Sequence, residues 1–362
     1  MVVPESPISA SALPQLPADL LSRTATEGVR RVLLATLQRT AAAAERLADP
    51  ADAEALHDFR VGLRRLRSQL KAFREWVADE VPRRLERRLR KAARATNRGR
   101  DAEVQARALE QLATAGGGLS SSAGRVLAAG LARRLGADRD EASESSIGRA
   151  RRDFESVRRA LDKRLRIVHL EVDLSAGLDV GGVTGGRESR ESNFGELAAR
   201  QIGSQLARVR ERFAEARGID PPDVLHAARI EGKRLRYLLE PMREVDPAVG
   251  PLLVDLKRLQ DILGEFHDAC VLERIAGDAL TERARERAAT AVAAVAASGL
   301  ASEAASRARR HAMPWALLEI VDLARRRQRS AWRRLARGRA ARQLLLEQID
   351  DAIGRWAQAP LA

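Results

Sequence analysis

Apolar residues recur from Leu56 to Val77 at alternating steps of three and four, through Leu56, Phe59, Leu63, Leu66, Leu70, Phe73 and Val77. That period predicts one helix with a single buried stripe. One residue out of phase, His57, Arg60, Arg64, Arg67, Lys71 and Arg74 form a cationic ladder beside it. The design returns further on, with Leu225, Ala228, Gly232, Leu235, Leu239 and Met242 apolar and His226, Arg229, Lys233, Arg236 and Arg243 at the same offsets. Glu240 stands where Lys71 stands in the first copy. Leu33 and Leu37 precede His57 at the spacing by which Ile202 and Leu206 precede His226. Downstream, the run Arg100 to Val104 aligns with His267 to Val271 after a two-residue adjustment. Repetition at so long a period suggests duplication, with the two copies facing each other across a pseudo-twofold axis.

The remaining pattern is helical throughout, which gives an all-α expectation with about four main helices in each half. Residues 1–18, rich in Pro and Ser, read as a disordered lead, and residues 19–176 as the first half. In that half a helix is expected from Glu27 to Leu47, with Asp52 capping the ladder helix that follows. After the small-residue loop Gly116–Ser122, two helices are expected, one to about Leu135 and one over Ser146–Val168, leaving Arg139 in a loop. Residues 177–193 carry five glycines and read as a flexible linker. The second half, 194–362, has a helix over Phe194–Arg217 and a second ladder helix opened by Asp220-Pro221-Pro222 and limited by Pro241. Separate helices over Leu252–Ile262 and Asp268–Ala297, then two long C-terminal ones, complete the expectation.

Charge narrows the chemistry. The 362 residues carry a net charge of +14, mostly from arginine, whose planar fork suits phosphate oxygens. Arg83, Arg84, Arg87, Arg88, Arg90, Lys91, Arg94, Arg98 and Arg100 face one acid, Glu86, and a second arginine run extends from Arg325 to Arg342. The second run reads either as an extension of an anion surface or as a solvated face. Aromatic residues make up only 3%, which gives little equipment for stacking bases. The single cysteine, Cys270, reads as a buried small side chain and excludes an intrachain disulfide. Trp315, Trp332 and Trp356 read as core or rim anchors, and His169 and His311 have no partner at metal-ligand spacing. No GxxxxGK[ST] follows the glycine pairs, so a phosphate-cradling loop of that kind is not expected. The chain starts without a secretory signal pattern, and its longest weakly polar run, Ala288–Leu300, is too short for a membrane span. The expectation is a cytoplasmic protein.

The two helices share the motif His-x-x-Arg-x-x-x-[Arg/Lys]-Arg-Leu-Arg, over His57–Arg67 and His226–Arg236. The doubled motif resembles the hallmark of CHAD domains, the conserved-histidine α-helical domains, over roughly Ala18 to the C-terminus. The resemblance implies two helical bundles related by pseudo-twofold symmetry around a basic central cavity or pore, which bind inorganic polyphosphate and associate with polyphosphate granules in bacteria. The family's positions carry over as His57, Arg60, Arg64, Arg65 and Arg67, and as His226, Arg229, Lys233, Arg234 and Arg236. Lys71, Arg74, Arg90, Lys91, Arg243, Lys257 and Arg258 extend the candidate set. Some relatives are fused to a triphosphate tunnel hydrolase with a Glu-x-Glu-x-Lys signature. This chain lacks that signature, so no catalytic residue, metal or cofactor is expected.

Two other functions fit parts of the pattern. A metal-dependent His-Asp phosphohydrolase would use His57-Asp58 and His267-Asp268, with His226 as a further ligand. Neither dipeptide recurs in the other half, however, and the surrounding arginines would repel a divalent cation. A nucleic-acid scaffold is motivated by charge alone, against which stand the scarce aromatics and the lack of a groove-reading motif. The histidines beside arginines are discouraged from charging until a polyanion binds, so affinity is expected to rise from about pH 8 to about pH 6.

Overall fold

The computed structural model describes residues 15–49, 51–52, 54–79, 81–114, 116–176, 192–298 and 315–361. Nine long helices follow in order among these residues. They are α1 (Ala25–Arg46), α2 (Ala55–Ala72), α3 (Arg83–Ala113), α4 (Ser122–Ala176), α5 (Phe194–Glu215), α6 (Pro222–Leu239), α7 (Val249–Ser298), α8 (Trp315–Arg337) and α9 (Arg339–Ala357). The described residues contain no named strand, only an isolated bridge between Thr24 and Asn193.

That bridge joins the beginnings of α1 and α5. Thr24 accepts from the Glu27 amide and Asn193 from the Glu196 amide, so each helix has its own side-chain cap. In addition, the Ala25 amide donates to the Ser192 carbonyl at 3.0 Å and the Phe194 amide to the Arg23 carbonyl at 2.7 Å. Each half thus satisfies an orphan donor of the other. Phe194 lies so close to Gly28 that any side chain there would strike its ring.

Both predicted apolar stripes are buried except at Leu56, which is half-buried. On α2 and just beyond it, Phe59, Leu63, Leu66, Leu70, Phe73 and Val77 join residues of α1, α3, α4, α5 and α9 in one core that also takes Leu235, Leu239 and Met242 from the second ladder. A fully buried Leu or Phe contributes about 1.5–3 kcal/mol, so the contacts across the halves bind them into one unit. A second core forms where Leu109 and Leu112 of α3, Ala128 of α4, Leu272 of α7 and Ile320 of α8 meet.

Several boundaries differ from the sequence reading. The first ladder helix ends at Ala72, and Arg74–Trp76 is a tighter 3-10 turn. Arg74 is drawn out of line there by the Val81 carbonyl and the Glu86 carboxylate. The N-cap position falls on Glu54, which makes no side-chain cap, while Asp52 before it accepts from the Ala55 amide at 3.0 Å. The expected break near Arg139 is absent, because α4 runs without interruption from Ser122 to Ala176. A helical glycine costs only about 1 kcal/mol, and α4 packs along α3 for much of its length. α7 is likewise one helix, continued by Leu263 and Phe266, which enter a third apolar cluster with Leu225 and Leu335.

Leu16, inside the expected lead, is buried in the core and its amide donates to Glu244. Ser192 and Asn193, at the end of the expected linker, belong to the helix junction just described. Residues 1–14 and 177–191, and His311, lie outside the described residues, as do the side chains of His169, Arg98, Arg100 and Arg139. Trp356 is a core residue whose indole donates to Asp246 at 2.9 Å, whereas Trp315 is exposed. No helix of the described residues is long and apolar enough to cross a membrane.

Candidate anion-binding cavity

Helices α2, α3, α6 and α7 enclose a cavity of about 850 Å³. α2 supplies Arg64, Arg67 and Lys71, α3 supplies Arg90, α6 supplies Arg229, Lys233 and Arg234, and α7 supplies Arg274. These eight cations share the lining with two carboxylates, Glu86 of α3 and Asp268 of α7. Glu86 is itself engaged by Arg74.

The helix periods explain the convergence. Arg64, Arg67 and Lys71 follow each other at steps of three and four, as do Arg229 and Lys233 at four, and each apolar stripe beside them is fixed in the core. Anchoring the stripes aims the adjacent cations into the space between the two helices. The Arg229 Nε is buried and makes no hydrogen bond within the protein. Burial holds this guanidinium below its usual range, Asp268 opposes the shift and Arg64 adds to it. Arg67 is depressed by burial and by Arg90, Arg94 and Arg234, so the positive charges of both halves act on one space. Burial, with Arg229, Arg64 and Arg236, lowers Lys233 to about 8. Like charges brought this close disfavour their own charged forms until an anion arrives.

The two motif histidines part company. His57 is exposed, and its neighbour Asp58 pairs with Arg46 at 2.6 Å. His226 meets His267, Nδ1 to Nδ1, at 3.0 Å, so one ring donates and the other accepts. Burial and Arg229 press both below the usual imidazole range, His267 to about 4. Asp268, at the cavity wall, is raised by burial against the pull of Arg229. No group of three His, Cys, Asp or Glu side chains among the described residues is arranged to hold a metal ion.

Seven of the seventeen candidates line the cavity, namely Arg64, Arg67, Lys71, Arg90, Arg229, Lys233 and Arg234. The others are held elsewhere. Arg60 is buried and donates to the Thr96 carbonyl of α3. Arg65 and Arg236 both reach Glu240, Arg236 at 3.4 Å, so the residue that interrupts the second ladder ties the two ladder helices together. Arg74 is the brace on Glu86, while Lys91 of α3 pairs with Asp153 of α4 at 3.6 Å. Lys257 and Arg258 pair with Asp261 and Asp255 on their own helix, and Arg243 is exposed on the 3-10 turn Glu240–Glu244. Arg274 was missed. It follows His267 by seven residues, two helical turns, so the aligned His267 run carried the signal for it. Tyr237 and Gln105 also line the cavity, and no charge pattern marked them.

The long arginine runs mostly serve other ends. Of the run after Pro82 only Arg90 reaches the cavity among the described side chains. In the C-terminal run Arg325 binds Asp220 and Glu273 and Arg334 binds Glu265, acids distant in sequence, while Arg326 pairs with Asp322 one turn away on its own helix. Cys270 is half-buried, and burial raises its thiol to about 11.

The sequence pattern of the CHAD domain matches residues 31–277. No curated protein matches the chain. Among solved structures, the crystal structure of the CHAD domain from the plant Ricinus communis is similar, with a TM-score of 0.52 and 20% sequence identity, covering 88% of this chain and 97% of that one. The chain belongs to the CHAD domain family.

Proposed function

We propose that this CHAD-family chain binds inorganic polyphosphate in the cavity between α2, α3, α6 and α7, without catalysis, and associates through it with polyphosphate granules. The observation that carries the reading is the convergence of eight cations against two carboxylates, drawn from both halves of the chain. A cation such as Arg229, whose buried Nε has no hydrogen-bond acceptor within the protein, is costly to bury, and a flexible polyanion supplies many acceptors without bringing a shape of its own. Guanidinium forks grip phosphate oxygens in charge-assisted pairs. A divalent ion at the reacting phosphate would be repelled by the same set, which speaks for holding the chain rather than cleaving it. A nucleic-acid scaffold fits less well, because the surface is concave and, among the described residues, Tyr237 is the one Phe, Trp or Tyr lining it.

On α2 the cations that reach the cavity span Arg64 to Lys71, roughly 10 Å of helix at about 1.5 Å per residue. A short phosphate meets one wall, whereas a longer chain meets both, and its second contact is intramolecular. Calorimetry across a phosphate length series should show affinity rising on the order of 100-fold from triphosphate to long chains and then levelling off. Raising the salt should weaken it. Equal affinity for triphosphate and long chains would refute the two-wall site. Phosphate release in the same samples would replace binding with hydrolysis, and displacement by duplex DNA at equal phosphate concentration would favour the scaffold.

A further inference from the structure

A second cavity of about 490 Å³ lies between α5, α6, α8 and α9 and shares no lining residue with the first. Its chemistry is different. Phe213, Leu225, Trp332, Leu335 and Leu346 give it an apolar floor, with Leu225, Leu335 and Leu346 buried. Its polar groups are mainly guanidiniums. Arg210 is matched by Asp350 and the Leu346 carbonyl. Arg342 is half-buried, lies 4.5 Å over the Phe213 ring and donates to the Leu335 carbonyl at 2.9 Å. Arg217 and Arg339 are exposed at the rim and have no ion pair among the described residues. Glu347, which accepts from Gln343 at 3.1 Å, is the one acid lining the cavity. Three arginines without a carboxylate partner therefore stand over an aromatic and aliphatic floor.

We propose that this cavity is a binding site for a small amphipathic anion, an aromatic or acyl body that ends in a phosphate, sulfonate or carboxylate. The volume lies in the range of small-molecule sites, which are apolar concavities with a few convergent polar groups. The apolar body covers Phe213, Trp332 and Leu335, and the anionic end lies against Arg342, with Arg339 beside it. Burial and the nearby charge of Arg339 already hold the Arg342 guanidinium below its usual range, the condition that an incoming anion relieves. Inorganic polyphosphate is the wrong occupant, since it offers nothing to the floor. A neutral lipid is equally wrong, since it leaves the arginines unmatched.

The test titrates the full chain with 8-anilinonaphthalene-1-sulfonate, whose fluorescence reports an apolar site beside a cation. One saturable site is expected, weakened about 10-fold in Arg342→Gln and in Phe213→Ala, and unaltered in Arg258→Gln. Decyl phosphate should displace the dye at about one-tenth the concentration needed for decanol or inorganic phosphate. Polyphosphate that saturates the central cavity should leave the dye in place. Dye binding that survives both substitutions, or that polyphosphate or duplex DNA removes as readily as decyl phosphate does, overturns the proposal. If Arg342→Gln fails to fold because the Leu335 carbonyl loses its donor, Arg339→Gln at the rim carries the same test, and undiminished binding there counts against the site.

Discussion

On α2, Arg64, Arg67 and Lys71 line the central cavity while Arg60 is held by the Thr96 carbonyl and Arg65 by Glu240. On α6 the aligned positions divide otherwise. Arg229, the counterpart of Arg60, lines the cavity, as does Arg234, the counterpart of Arg65, whereas Arg236, the counterpart of Arg67, turns to Glu240. Only Arg64 and Lys233 keep the same task at the same motif position. Identical spacing on two helices fixes which side chains share a stripe, but the neighbours around each stripe decide which of them remain available. A carbonyl at the right depth makes a structural tether out of Arg60, and one acid placed where the other ladder has Lys71 withdraws a cation from each helix.

The largest contrast should come from the aligned pair Arg60 and Arg229. Arg229→Glu puts an anion at a buried point of the cavity wall and should weaken polyphosphate binding on the order of 100-fold in a calorimetric titration. Arg60→Gln should leave the affinity of the folded protein close to wild type and lower stability by about 1–3 kcal/mol in a denaturant melt. Similar affinity losses in the two variants would erase the distinction. A smaller effect is expected at the link between the ladders. Glu240→Gln leaves Arg65 and Arg236 without their carboxylate and should cost about 1 kcal/mol, a modest figure because Arg65 is partly exposed. It should not weaken polyphosphate binding, and a loss of affinity would place Glu240 in the anion path.

The smallest effect separates the one motif position that both ladders use alike. Lys233, depressed to about 8, loses its charge as pH rises through that value, whereas a guanidinium is the side chain that keeps its charge there. A bound polyanion favours the ammonium form, so binding takes up protons there and affinity should fall about threefold between roughly pH 7 and roughly pH 9. Lys233→Arg should flatten that slope, and a slope retained in the variant would assign the titration to another group. The rise expected below pH 8 from His57 and His226 is not supported by the geometry. His57 is exposed and away from the cavity lining, and burial lowers His226 and, to about 4, His267.

The apolar stripes of both ladder helices were legible because a buried face must repeat at the helical period whatever packs on it. Phe59, Leu63, Leu66 and Leu70, and Leu225, Leu235 and Leu239, all proved buried. The cations that line the cavity were legible only as members of a set. Nothing local distinguishes Arg60, which meets a carbonyl 36 residues away, from Arg64, which faces the cavity. Helix length was misread for a similar reason. Gly136 and mixed charges weaken the local signal across residues 136–145 of α4, and the packing along α3 that helps to sustain the helix is a tertiary term.

The reciprocal hydrogen bonds between the starts of α1 and α5 impose an order on the making of this protein. When Ala25 leaves the ribosome, the carbonyl that will receive its amide belongs to Ser192 and does not yet exist. At about 5–20 residues per second, that carbonyl follows on the order of ten seconds or more later. Until Phe194 arrives, the groove at Gly28 also has no ring to close it. The first half must therefore wait on its nascent chain with an unfinished helix end and a bare apolar face, and that interval is when a chaperone has most to offer it.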